Sequence, residues 1–138
     1  MTAPSELMTR PGATAPGTTA PPAGGSRLME MTKTVDGKLA VLRPAGRLNM
    51  VAAPALKTVV EQTLADGQNR IVVDLTETTF VDSSGLGALI AGLKAARAAG
   101  GDLRISDVPE QVMTVLRLTN LDRVLRAHPS VADASRDW

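Results

Sequence analysis

The chain has 138 residues, a formal net charge of +1 and no cysteine. That charge leaves no electrostatic footprint for nucleic acid, and the missing thiols exclude disulfides and thiolate metal sites. No apolar stretch approaches the length of a membrane span, so the expectation is a cytoplasmic protein without membrane contact, long enough for one domain plus a tail.

Residues 1–26 read as a disordered leader. The stretch 11–26 holds four prolines and four glycines and has no apolar periodicity able to bury a face. Residues 27–138 carry the domain. Residues 28–35 alternate as a strand, Asp36-Gly37 is a hairpin signal, and residues 38–45 follow as the partner strand, closed by Gly46. Arg47-Leu48-Asn49 leads into a helix whose apolar positions Ala53, Leu56, Val59, Val60 and Leu64 fall at helical spacing; Asp66-Gly67 ends it. Ile71-Val72-Val73 is a β-branched run of the kind found in a strand buried on both faces. A second helix over 84–99 stops at Gly100-Gly101, and 103–106 is the next strand. A third helix opens at Asp107-Val108-Pro109-Glu110, with Asp107 placed to cap it, Pro109 in the first turn and Glu110 set for a capping box. Residues 121–127 give a last short strand and 131–138 a short terminal helix. The order β-β-α-β-α-β-α-β-(α) specifies an α/β fold, a mixed, mainly parallel sheet of about five strands with helices packed on it. The core is aliphatic, since the chain has one Phe, one Trp and no Tyr.

The informative segment is Thr79-Phe80-Val81-Asp82-Ser83-Ser84-Gly85-Leu86-Gly87, which runs into a helix whose inward positions are Leu86, Leu89, Ile90 and Leu93. Its plainest reading is an N-cap, in which Asp and Ser accept hydrogen bonds from amides of the first turn. Two features go further. The opposite side of the helix carries Ser84, Gly87, Ala88, Ala91, Ala95 and Ala98, a smooth face that lets another protein come close, although Ala is also simply the best helix former. A hydroxyl at a helix N-terminus also suits a phosphate switch. Phosphorylation adds a charge of about −1.5 to −2 that helix amides tolerate and an apposed acidic or apolar surface does not.

The run Ile71-Val-Val-Asp-Leu-Thr-Glu-Thr-Thr-Phe-Val-Asp-Ser-Ser-Gly-Leu-Gly87 resembles the signature of the STAS domain in its anti-sigma factor antagonist branch. The resemblance spans roughly residues 28–134, with supporting matches at the Gly46-Arg47-Leu48-Asn49 turn, at Gly100-Gly101 and over 121–126. It implies a binding protein and not an enzyme, with no cofactor. In that family the unphosphorylated antagonist binds an anti-sigma factor that is also an ATP-binding serine kinase. The kinase phosphorylates the antagonist and breaks the complex; a PP2C-type phosphatase resets it. Position by position, the resemblance puts the acceptor at Ser83, with Ser84 the adjacent alternative. Asp82 would orient it, Gly85 and Gly87 would permit close approach, and Leu48-Asn49 would form part of the docking rim beside Ser84, Ala88, Ala91 and Ala95. Where the family often has Asp at the last position of that rim turn, this chain has Asn49, which removes one charge. The alternative within the family is an interaction subunit of a transporter or stress-sensing assembly.

Other chemistries find too few parts. A serine hydrolase needs a base and an orienting group, yet the only histidine is His128, followed by Pro129, and no Gly-x-Ser-x-Gly elbow occurs. A receiver domain could use Asp74, but the first strand ends without the acidic pair that holds Mg²⁺. Met113 and its like read as core filler.

Overall fold

The structure is a computed structural model that describes residues 30–136 and 138. The leader expected over 1–26 and the first two residues of the expected strand 28–35 lie outside the described residues. In chain order the elements are β1 (Glu30–Asp36), β2 (Leu39–Leu48), α1 (Ala53–Ala65), β3 (Arg70–Asp74), β4 (Thr78–Val81), α2 (Ser83–Ala98), β5 (Asp102–Ser106), α3 (Glu110–Leu118), a 3-10 turn (Leu121–Arg123), β6 (Ala127–His128) and α4 (Val131–Ala134). The sheet has six strands in the order β1-β2-β3-β5-β6, with β4 also paired to β2. Only β1 and β2 run antiparallel; the other pairings are parallel. The mixed, mainly parallel α/β architecture matches the sequence expectation.

The β1–β2 hairpin closes through Gly37 and Lys38, one residue later than the sequence signal, with Asp36 opposite Leu39. Gly37 takes φ +64, which suits the first position of a hairpin turn matched to strand twist. Gly46 does not close β2, contrary to expectation. The strand runs on to Leu48, and Gly46 sits within it at φ +92, where the register shifts. β2 pairs with β3 over residues 39–42 and with β4 over residues 46–48, the shift falling between Gly46 and Arg47 within the second pairing. The short β4 is absent from the sequence reading, because the turn that frees it (the Thr78 amide to the Leu75 carbonyl, 3.1 Å) contains neither Gly nor Pro.

Further expectations fail near the C-terminus. Asp107 does not cap α3. It takes φ +53 and donates its amide to the His128 carbonyl, and Pro109 stands at the cap position without a side-chain bond. Glu110 forms no capping box and instead meets Arg117 at 3.6 Å. The strand expected over 121–127 shrinks to Ala127–His128. Leu121 packs on the core and Leu125 is fully buried, and the amides of Val124 and Leu125 both donate to the Leu121 carbonyl at 3.0 and 2.8 Å, closing a helical turn in place of a strand. The terminal helix is likewise shorter than 131–138.

Alternation along the strands separates two faces. Leu42, Ile71, Val73, Leu103 and Ile105 pack beneath α1 and α2, together with Leu56, Val60, Leu86, Leu89 and Leu93. The other face carries Val72 and Arg104. Arg104 lies 4.1 Å from the Trp138 ring centre and donates to the Ala134 carbonyl at 2.7 Å, which ties the C-terminal segment to the sheet.

Candidate phosphorylation and docking site

The end of β2 and the start of α2 build one corner. The Asp82 amide donates to the Leu48 carbonyl at 3.3 Å. The Asp82 backbone is extended, and its carboxylate accepts the Gly85 amide at 2.9 Å, a side-chain N-cap. Gly85 is required by packing. A Cβ there would stand 2.2 Å from the Leu48 carbonyl oxygen. The Val81 amide donates to the Gln111 side-chain oxygen of α3 at 3.3 Å, bracing the corner from the other side.

Upon this frame Ser83 is exposed and Ser84 half-buried, at the first two helical positions. Neither hydroxyl has a hydrogen-bond partner among the described residues. Across the corner, the Asn49 side-chain oxygen accepts the amides of Val51 and Ala52 at 3.0 and 3.1 Å. Asn49 thus shapes the β2–α1 turn from within and is half-buried. The turn presents Met50 and Val51 to solvent, 71% and 53% exposed, and β4 adds Phe80 at 38%. An open depression of about 550 Å³ lies between α1 and α2, lined by Met50, Ala53, Pro54, Lys57, Thr58, Glu61, Ser84, Gly87 and Ala88.

Several expected docking residues therefore sit differently. Leu48 is fully buried and belongs to the core, not to a rim. Gly85 is buried, and the close approach it permits is that of Leu48 in the same chain. Ala88 is buried at 2% exposure, because α1 packs along this side of α2. Ala91 and Ala95 are half-buried and line the continuation of the groove with Lys57, Val60 and Glu61. Gly87 is exposed, as expected, and nothing lies within 4 Å of where its Cβ would be. Of the helix's inward positions, Leu86, Leu89 and Leu93 are buried and Ile90 is half-buried. The sequence reading missed Met50, Val51, Phe80 and Lys57. Its available signal was the apolar pair Met50-Val51 set directly after a turn-forming Asn.

The rival residues are engaged elsewhere. Asp74 is buried at the end of β3, where Arg43 reaches one carboxylate oxygen at 2.8 Å and the Thr76 amide and hydroxyl donate to the other. Burial raises its pKa, but the hydrogen bonds from Thr76 and Arg43 outweigh that and hold it below the ordinary value. His128 pairs through Nδ1 with Asp133 at 3.2 Å, on the strand at the far edge of the sheet. Among the described residues no group of acidic, His or Cys side chains is arranged to hold a metal, and no helix is long and apolar enough to cross a membrane.

The family model for the STAS domain matches residues 30–134. A candidate anti-sigma factor antagonist of Thermotoga maritima is 32% identical over 106 residues, covering 76% of this chain and 93% of that protein. An anti-sigma-B factor antagonist of Staphylococcus aureus is 25% identical over 100 residues, covering 72% of this chain and 93% of the relative. The crystal structure of an anti-sigma factor antagonist from Mycobacterium paratuberculosis superposes with a TM-score of 0.70 at 25% identity, covering 79% of this chain and 92% of its own.

Proposed function

The chain belongs to the STAS domain family, and on that premise we propose that it is an anti-sigma factor antagonist, a binding protein switched by phosphorylation of Ser83. The partner is an anti-sigma factor with an ATP-binding serine kinase domain, and a PP2C-type phosphatase reverses the modification. The observation that carries the reading is the exposed, unengaged Ser83 hydroxyl at the first helical position after the Asp82 cap.

The corner suits a change of binding that spares the fold. A phosphate on Ser83 adds a charge of about −1.5 to −2 where the α2 dipole and free amides favour an anion. No hydrogen bond of the fold passes through that hydroxyl, so none is lost. Docking is another matter. The surrounding apolar surface of Met50, Val51 and Phe80 would have to close over a dianion, beside the carboxylate of Asp82. Desolvation and like-charge repulsion both oppose that closure. A loss of about 3 kcal/mol corresponds to a roughly hundredfold weaker complex.

Incubation with the kinase and ATP should add one phosphate, mapped by mass spectrometry to Ser83. Ser83→Ala should abolish that phosphate and still bind, whereas Ser83→Asp should bind more weakly. Full phosphorylation of Ser83→Ala would move the acceptor to Ser84.

A further inference from the structure

We propose that Met50 is an oxidation site whose sulfoxide weakens docking at the α2 N-terminus; this rests on the reading of that corner as the partner surface. Met50 stands apart from the other described methionines. The residue is 71% exposed, while Met31 and Met113 are half-buried against the core. The chain has no cysteine, so thioethers are its only sulfur groups. Oxidation at an exposed thioether therefore meets no thiol competitor in the same molecule.

The position makes such a change consequential. Asn49 pins the turn through the amides of Val51 and Ala52, so Met50 is held at the lip of the depression that Ser84 and Gly87 also line. Apolar thioethers are adaptable contacts for a partner surface. A hydroperoxide is the oxidant: the sulfur lone pair attacks its outer oxygen, an S–O bond forms and the O–O bond breaks. The sulfur is oxidised by two electrons, the peroxide is reduced to water or an alcohol, and the proton of the transferred oxygen passes to the leaving oxygen. The product places a strong acceptor in what was apolar contact area, where closure of the interface leaves it without a donor. The fold is untouched, because the Met50 side chain is not part of the core.

The test uses the full chain, hydrogen peroxide and the kinase that phosphorylates Ser83. Peptide mapping should find one added oxygen at Met50 before Met31 or Met113 reacts. Affinity is then measured before and after oxidation for wild type and for Met50→Leu, and the ratio is compared within each protein. This cancels oxidation at Met1, Met8 and Met29. Wild type should lose about tenfold in affinity, the effect of one unsatisfied polar group, and Met50→Leu should show a ratio near one. A methionine sulfoxide reductase should restore the wild type. Equal ratios in the two proteins, or a Met50 slower to react than Met113, overturn the inference while the switch reading stands. A kinase that never binds the unoxidised chain overturns the switch reading instead, and this inference with it.

Discussion

Replacing Gly85 by Ala drives a methyl group into the end of β2. The new Cβ would lie 2.2 Å from the Leu48 carbonyl oxygen and 2.9 Å from Leu48 Cγ, where ordinary contact begins at 3.4 Å. The first turn of α2 must therefore retreat by more than an ångström, since Leu48 is fully buried and has no free space to enter. Overpacking of this kind costs about 1–3 kcal/mol. The retreat also strains the Asp82 cap, worth about 1 kcal/mol more. Two residues on, Gly87 has nothing within 4 Å of its Cβ position, so Gly87→Ala should stabilise by about 0.5–1 kcal/mol through helix propensity alone. Urea unfolding followed by circular dichroism, and by fluorescence of the single Trp138, reads both variants. The Gly85→Ala midpoint should fall by about 1–2 M while that of Gly87→Ala holds or rises. Equal midpoints would refute the claim that Gly85 is fixed by its contact with β2.

Asp74→Asn should destabilise most near neutral pH. The Asp74 pKa is lowered in the folded state from the ordinary 3.8, so its contribution is fully present above the unfolded value and is lost as pH falls through the folded one. In urea unfolding across the acid range, the gap between wild type and variant should narrow below about pH 4; a gap that ignores pH would show that the charge is irrelevant. Ala91→Glu should cost about 1–2 kcal/mol, because the half-buried Ala91 shares its groove with Glu61 of α1. At the exposed Ala98 the same change should fall within about 0.5 kcal/mol. Thermal melts compare them, and an Ala91→Glu variant as stable as wild type would return that side of α2 to solvent.

Hydrophobic period made α1, α2 and the central strand legible, since Leu56, Val60, Leu86, Leu89, Leu93 and Ile71 to Val73 are all buried as their spacing implies. The corner was legible because Asp-Ser-Ser-Gly at a strand–helix junction states its own capping chemistry. What stayed hidden depends on neighbours far along the chain. Glycine spacing reports a need for conformational freedom but not its use: Gly46 reads as a stop, yet it lies inside β2 at φ +92, beside the register shift. Alanine is ambiguous for a related reason. It suits a solvated helix and a close helix–helix contact equally, and only α1 decides that Ala88 is buried. Exposure of Met50 and Val51 likewise follows from where the turn lies on the folded surface, which their apolar character argues against.

The length of β2 explains why one surface gathers residues from separate turns. β3 is five residues long and pairs with residues 39–42 of the ten-residue β2, which leaves the end of β2 free for Thr78–Val81. β4 pairs with the last three residues of β2, and α2 starts directly after its Asp82 cap. The β2–α1 turn and the α2 N-terminus are then neighbours by backbone pairing alone, before any side chain is considered. Ser84 and Met50, separated in sequence by α1 and two strands, come to line the same depression. On the reading proposed above, a charge on the neighbouring Ser83 and polarity at Met50 would bear on a single docking event, although no bond joins them.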